Sequence, residues 1–483
     1  MMKNAMTTVQ KIAYNTGVQI IGKAITIAIA LVGFGLMTRY LGQKDFGYFS
    51  TIYAYLTIFG ILVDLGLQMT TTKLISDPQE NENQILNNVL SLRLITSLMF
   101  LVLAFFVALF LPYPILVKIG IAIAVFGYTA SALTTVLTSF FQKHLIIHQA
   151  VIAEVGGQTI YLILMILAIN LNTGLIGVLV ASILNSVFIF IFSIYFIRRQ
   201  LKITLGFDGK VWLKILKNTW PLGLTIALNL IYFKGDIFIM SLMRTPEEIG
   251  LYGAPYKILE VLINIIYLFL GLILPILSAS AALKDFNKIK KVIQQTFDFL
   301  IIATTPMIVG GYFLGVPLMI LMSGADFAVS GEIIKILFIA TGTIFIAGLF
   351  GYTIVALGEQ KKMIKFYAIN AMISIIGYII FISRYGYWGA AWMTVATESF
   401  ILLTVAYVMY QKLKFLPNLK IFAKAISASL VMAIPLYFLT LPFFVSILLG
   451  AIVYFITLYL IKGIDRNLIL ELVGVKNNEK LNH

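Results

Sequence analysis

Ala24-Ile-Thr-Ile-Ala-Ile-Ala-Leu-Val-Gly-Phe-Gly-Leu-Met-Thr38 lies between Lys23 and Arg39 without a single charge. With the turns before it, the apolar run covers 14–38. About 20 consecutive apolar residues are what a helix needs to cross a bilayer core. Within such a segment only a helix pairs every backbone N–H and C=O internally. Similar runs recur near 48–71, 86–111, 116–141, 149–170 and 175–197. After a polar stretch they resume near 218–243, 251–282, 293–321 and 332–357, then near 363–383, 387–410, 421–441 and 443–462. The pattern predicts an all-α integral membrane protein with about 14 transmembrane helices. The last two are parted only by a tight turn at Leu441 and Pro442. The first run is too long for a cleaved secretory signal and lacks a small-residue cleavage site.

Composition agrees. Of 483 residues, 60% are hydrophobic and 11% charged, with a mean hydropathy of +0.99. Soluble domains are nearer half apolar and a quarter charged, so a cytosolic enzyme and a disordered chain are excluded. Cys is absent, which excludes a disulfide scaffold and a thiolate metal site. The formal charge of +15 might suggest nucleic acid, but its distribution points elsewhere. With the N-terminus placed in the cytoplasm, 25 of the 35 Lys and Arg fall on the termini and even-numbered loops. Only Arg39, Lys44, Lys118, Arg244 and Arg384 fall on the odd-numbered loops. An excess of this kind orients helical membrane proteins, so both termini are expected in the cytoplasm. No nucleic-acid partner is implied.

An internal repeat divides the chain. Arg39-Tyr-Leu-Gly-Gln-Lys-Asp-Phe-Gly47-Tyr-Phe49 follows the first run, and Arg244-Thr-Pro-Glu-Glu-Ile-Gly250-Leu-Tyr252 follows the seventh. Gln142-Lys143 parallels Gln360-Lys361, and Gly174-Leu-Ile-Gly177 parallels Gly386-Tyr-Trp-Gly389. Equivalent helices run in the same direction, which makes a parallel repeat of six and six. Four regions are expected: an N-terminal six-helix lobe at 1–200, a basic cytoplasmic linker at 201–217, a second six-helix lobe at 218–411, and two extra helices with a short tail at 412–483. Repeats of this kind place a substrate between the halves.

The order of these motifs carries a resemblance. Arg39-x-Leu-Gly-x-x-x-Phe-Gly47, Asp64-Leu-Gly66-Leu, Pro221-Leu-Gly, Asp236 and Gly250-x-Tyr252 follow one another along the chain. In this the sequence resembles the Wzx-type flippases of bacterial polysaccharide synthesis. Their superfamily also holds multidrug exporters and lipid II flippases. The resemblance implies two six-helix lobes around a cavity, working by alternating access in the bacterial cytoplasmic membrane. It implies an undecaprenyl-pyrophosphate-linked oligosaccharide as cargo, passed from the inner to the outer leaflet. The implied partners are membrane lipid and the polymerase and glycosyltransferases of the same synthesis. No cofactor or metal is implied, and no covalent chemistry. An ion-coupled multidrug or metabolite antiporter is the rival within this fold, though acidic linings suit cationic drugs better than basic ones do. A membrane glycosyltransferase or polymerase would need a larger extramembrane loop.

Charged side chains inside the apolar runs are the candidate site. An ionisable group at the bilayer centre costs roughly 2.5–3.5 kcal/mol even on the lenient insertion scale. Lys23, Lys234 and Lys257 stand on the first, seventh and eighth runs. Together with Arg93 they are candidates to bind the pyrophosphate through charge-assisted hydrogen bonds. Lys suits a moving phosphate because it is a flexible point charge. Lys23 has no acidic neighbour within two turns of its own helix, whereas Lys257 has Glu260 three residues on. Asp236, Glu260 and Glu398 are candidates for a coupling cation or proton. Asp64 is expected to cap or pair near an inner helix end. Glu154, Asp298, Glu332 and Lys335 are expected near helix ends, where snorkelling is cheap. Pro221 and Pro255 are the candidate hinges.

Two other motifs carry no chemistry. Gly17-Val-Gln-Ile-Ile-Gly22-Lys23-Ala24 approaches a phosphate-binding loop but has Ala24 where the motif needs Ser or Thr, and no strand precedes it. His144 and His148 have a spacing that could share a metal, without the Glu that would follow the first.

Overall fold

A computed structural model describes residues 8–64 and 66–463, with side chains from residue 15 except 16, 220–222 and 225–226. Thirteen α-helices and no strands occur among the described residues. They are α1 (Thr8–Asp64), α2 (Leu67–Ile75), α3 (Glu82–Phe110), α4 (Ile115–Lys143), α5 (Ile147–Asn170), α6 (Gly174–Arg198) and α7 (Gly209–Met243). Then follow α8 (Pro246–Ala282), α9 (Phe286–Ser323), α10 (Ala328–Ala356), α11 (Met363–Leu413), α12 (Lys420–Phe438) and α13 (Phe443–Leu460). The all-α membrane fold expected from the apolar runs is the fold observed. Below, inner denotes the side of the residue 201–217 linker and outer the opposite side.

Eleven of the helical spans are long and apolar enough to cross a membrane, against fourteen runs in the sequence. Part of the difference lies in how turns are made. The 57 residues of α1 would reach about 85 Å if straight, roughly three bilayer cores. At Gly42 the backbone leaves the helix (φ 64, ψ −175), and a Cβ there would meet nothing within 4 Å. Its role is therefore conformational: glycine takes the left-handed region without cost. Gly386 breaks α11 in the same way (φ 57, ψ −135). Each glycine joins two apolar runs with almost no loop. Gly174, the repeat mate of Gly386, is also left-handed (φ 63) and opens α6. The second run does not continue to residue 71 as one helix; it breaks after Asp64, and Gly66 (φ 80) restarts it as α2. The remaining long helix, α7, carries Asn229, Lys234 and Asp236.

The helix starts follow local chemistry. Asn81 caps α3 by accepting from Gln84 N–H. Asp208 caps α7 by accepting from Lys210 and Val211 N–H. Each satisfies amides that a helix leaves unpaired at its start.

The linker is pinned along α3. Asn87 Nδ2 donates to Lys202 O (3.1 Å), and Thr204 N–H donates back to Asn87 Oδ1 (3.1 Å). Gly206 N–H donates to Ser91 Oγ (2.8 Å) and Asp208 N–H to Asn88 Oδ1 (2.8 Å). Beneath this ladder Ile197 and Ile215 are fully buried against Leu86, Val89, Val136, Leu137 and Phe140. Each such aliphatic side chain contributes about 2 kcal/mol relative to exposure. Glu80 pairs with Lys214, which adds a charged contact at the start of α7.

The chain forms two compact units. One holds Met1–Ala254, Met322–Asp326 and Tyr367–Ala390. The other holds Pro255–Leu321, Phe327–Phe366 and Ala391–His483. Within the second, Tyr454 of α13 donates to Ile302 O of α9 at 2.9 Å.

Candidate functional site

Lys23 is the first charged residue of the helices whose side chain is described. Asn15 donates to Leu145 O in the turn between α4 and α5, which fixes residue 15 at the inner rim. Lys23 lies two turns further in, about 12 Å along the helix. Between Thr8 and the break at Gly42, Lys23 lies close to the middle of the first arm of α1, slightly nearer Thr8. Its ammonium lies 3.0 Å from Glu154 Oε2 on α5, and the two side chains are each 36% exposed. The partner comes from 131 residues away, beyond the reach of any search along one helix.

Arg93 is committed to the protein. Its Nη2 lies 2.7 Å from Asp64 Oδ1, while Nη1 donates to Val63 O and Nε to Ala132 O. Thr135 Oγ1 accepts a further bond at 3.3 Å. The planar fork thus ties the C-terminal end of α1 to α3 and α4, where the chain breaks before Gly66. Asp64 is the salt-bridge partner that its position led us to expect.

On α7, Asp236 is fully buried. Tyr252 of α8 donates to its Oδ2 (2.7 Å) and Ile237 N–H to its Oδ1 (2.7 Å). Lys234 extends over the Phe233 ring, 5.3 Å from its centroid. Tyr378 of α11 donates to Tyr232 O at 3.2 Å and so packs α11 beside this segment. On α8, Lys257 pairs with Glu260 at 2.9 Å, as the i,i+3 spacing suggested, and Lys257 stays 57% exposed. Glu398 is buried on α11. Glu332 and Lys335 pair with each other, and Asp298 accepts from Gln294.

Measured along its own helix from the outer end, Lys234 lies about 14 Å in and Lys257 about 16 Å. Lys23 lies about 28 Å from the break at Gly42 by the same measure. The basic residues therefore mark two depths. Pro255 sits inside α8 at the boundary between the compact units, with Ala254 in one and Pro255 in the other. Residue 221 is helical within α7, and its side chain lies outside the described residues.

No group of three His, Cys, Asp or Glu side chains fit for a metal occurs among the described residues. His144 instead meets Glu82 (2.7 Å) and packs on the Phe140 ring.

The pattern of the polysaccharide biosynthesis protein family matches residues 12–281, more than half the chain. The chain belongs to that family. Among its similar proteins is a curated "Putative O-antigen transporter" of Shigella dysenteriae. It is 21% identical over 370 residues, which are 76% of this chain and 92% of that protein. The fold is similar to that of the lipid II flippase MurJ, solved in an inward closed conformation. That likeness has a TM-score of 0.77 at 18% identity and covers 95% of this chain and 100% of that one. It is also similar to an inward-facing multidrug resistance transporter of the MATE family. Here the TM-score is 0.64 at 14% identity, over 83% of this chain and 98% of that one. This member of the polysaccharide biosynthesis protein family is thus a multi-pass helical membrane protein with a transporter fold.

Two residues of the family member's site escaped sequence reasoning. Glu154 was expected at a helix end, and only the packing of α5 on α1 makes it the partner of Lys23. Tyr252 was visible as the aromatic of Gly250-x-Tyr252, a loop signature, without any sign that it would hold Asp236.

Proposed function

We propose that the chain is a flippase for undecaprenyl-pyrophosphate-linked oligosaccharide repeat units, moving them from the inner to the outer leaflet of a bacterial cytoplasmic membrane. Family membership supports the pathway class, and Lys23 is the observation that carries the cargo. It is a cation two turns in from Asn15 on an apolar helix, and its counter-ion, Glu154, stands on another helix and is no more buried than itself. A pyrophosphate can displace that carboxylate and gain charge-assisted hydrogen bonds in its place. Lys257, more than half exposed, and Lys234 are the next contacts as the cargo advances outward. Arg93, with its donors spent on Asp64 and on carbonyls, positions the end of α1 instead.

In this reading the lobes at 1–200 and 218–411 rock about Pro221 and Pro255, and both termini lie in the cytoplasm. Asp236, Glu260 and Glu398 are the candidates to couple a cation or proton to the rocking. The protein performs transport without covalent catalysis, and the polymerase and glycosyltransferases of the same synthesis supply and consume its cargo.

The test is translocation in proteoliposomes. Wild-type protein should carry a fluorescent undecaprenyl-pyrophosphate saccharide across the bilayer, and Lys23→Ala should abolish this while inserting normally. Movement of a cationic dye in place of the lipid would establish the antiporter reading, and full activity of Lys23→Ala would remove Lys23 from the cargo path.

A further inference from the structure

The two outer loops that mark the repeat meet each other. A Cβ on Gly47 would fall within the carbonyl oxygen of Pro246, and a Cβ on Gly250 within that of Gln43. Gly47 and Gly250 are 203 residues apart, and so are Gln43 and Pro246. Each glycine therefore sits on the carbonyl of the other's loop, the reciprocal pattern that a two-fold axis produces. Ser50 and Gly253, again 203 apart, face one another one turn deeper. A Cβ built on Gly253 would stand 2.8 Å from Ser50 Oγ and 3.4 Å from Ser50 Cβ.

Stronger polar contacts surround this centre. Gln43 donates to Asp326 O. Arg244 donates to Ile382 O (2.6 and 2.9 Å) and Ser383 O (2.8 Å), next to the break at Gly386. Tyr40 Oη accepts from Gly174 N–H at 2.8 Å. Tyr40 and Arg244 hold their loops to flanking helices, Gln43 reaches Asp326 O before α10, and at the two glycines the loops meet backbone against backbone. A Cα–H set against a carbonyl is a weak contact, so the glycines themselves part at little cost.

We infer that Gly47 and Gly250 form a two-fold clasp closing the outer side of the transporter, with Ser50 and Gly253 at its centre. The clasp must separate once per transport cycle. This rests on the flippase reading above and adds to it the residues that decide when cargo can leave. Any side chain larger than hydrogen at either glycine wedges the clasp open.

The chain has no cysteine, so Ser50→Cys with Gly253→Cys introduces a lone pair of thiols. Their Cβ separation of 3.4 Å lies at the short edge of disulfide geometry. Oxidation should cross-link the pair and slow translocation of the fluorescent undecaprenyl-pyrophosphate saccharide about tenfold or more, with recovery on reduction. Failure to cross-link, or unimpaired transport by the cross-linked protein, overturns the clasp. A second measurement needs no cargo. Ser50→Cys alone should react slowly with an impermeant maleimide added outside, and several-fold faster once Gly250→Ala is present. An unchanged rate overturns the clasp. If wild-type protein fails to move the lipid probe, the flippase reading falls, and labelling and cross-linking still decide the clasp.

Discussion

The hydroxyl of Tyr252 donates to Asp236 Oδ2 at 2.7 Å, and both residues are wholly buried. The bond joins α7 to the first turns of α8, across the short loop that carries Gly250. A carboxylate so enclosed needs each of its donors. Tyr252→Phe removes one and should destabilise the protein by about 1–3 kcal/mol, the cost of stranding a buried acceptor. Asp236→Asn keeps an acceptor for the hydroxyl and should cost less. Thermal unfolding in detergent, read by intrinsic fluorescence, ranks the two. The reverse order would place the weight on the charge of Asp236.

Arg93→Ala leaves Asp64 without its partner and removes the donors to Val63 O and Ala132 O. Breaking a fully buried pair from one side costs about 3–5 kcal/mol, and less here because Asp64 is partly exposed. The variant should therefore accumulate poorly and melt early. Arg93→Lys should rescue little, because an ammonium cannot reproduce the planar fork. If Arg93→Ala melts like wild type yet loses transport, Arg93 belongs to the cargo path.

In the proposed cycle Glu154 would compete with cargo for Lys23. Half-exposed pairs contribute only about 0–1 kcal/mol, so Glu154→Gln should barely move the melting temperature. It should tighten binding of an undecaprenyl pyrophosphate lipid, measured by native mass spectrometry or fluorescence titration. Lys23→Glu with Glu154→Lys should keep the ion pair but lose transport. Recovery of transport in the swapped protein would show that only the pairing matters.

Outside the membrane spans, hydrogen bonds from Lys412 and Lys362 hold the Glu359 carboxyl below the usual carboxylate range. Both lysines contact it directly, at 2.7 and 2.9 Å. A depressed folded-state pKa adds stability that is complete above the ordinary Glu value and disappears as pH falls through the folded one. Wild type and Glu359→Gln should differ in melting temperature at neutral pH, and the gap should close as the pH drops below about 4.3, the ordinary Glu value. A gap that widens on acidification would reverse the sign argued here.

The distribution of Lys and Arg predicts sidedness. A cysteine in place of Lys44 should react with an impermeant thiol reagent added outside intact cells, and one in place of Lys288 should not. The opposite pattern would invert the topology.

The helices were legible in the sequence because length and apolarity are local properties. Gly42 and Gly386 were visible only as letters within loop motifs; that each turns the chain with almost no loop depends on a left-handed φ that spacing does not encode. The repeat offset of 203 between Gly47 and Gly250 could be read directly, yet it gives equivalence and not contact. Lys23 stood out as a charge in an apolar run. Glu154 lies about two turns from the start of α5, as an end-of-helix acid should, and what spacing hid is its partner. Its own helix offers no basic neighbour, and the partner is set by packing 131 residues apart.

The hydrogen bonds that Asn87, Asn88 and Ser91 make to the linker end mostly on main-chain atoms: Lys202 O, Thr204 N, Gly206 N and Asp208 N. Main-chain atoms are the same whatever the side chain. The stretch therefore works as a ruler whose markings are peptide groups. Apart from Gly206, where a Cβ would press on Asn88, and Asp208, which caps α7, its residues are largely interchangeable, and its length is not. Inserting or deleting one residue would move every later mark out of step and detach the start of α7, while wholesale replacement of its lysines would leave the measure intact.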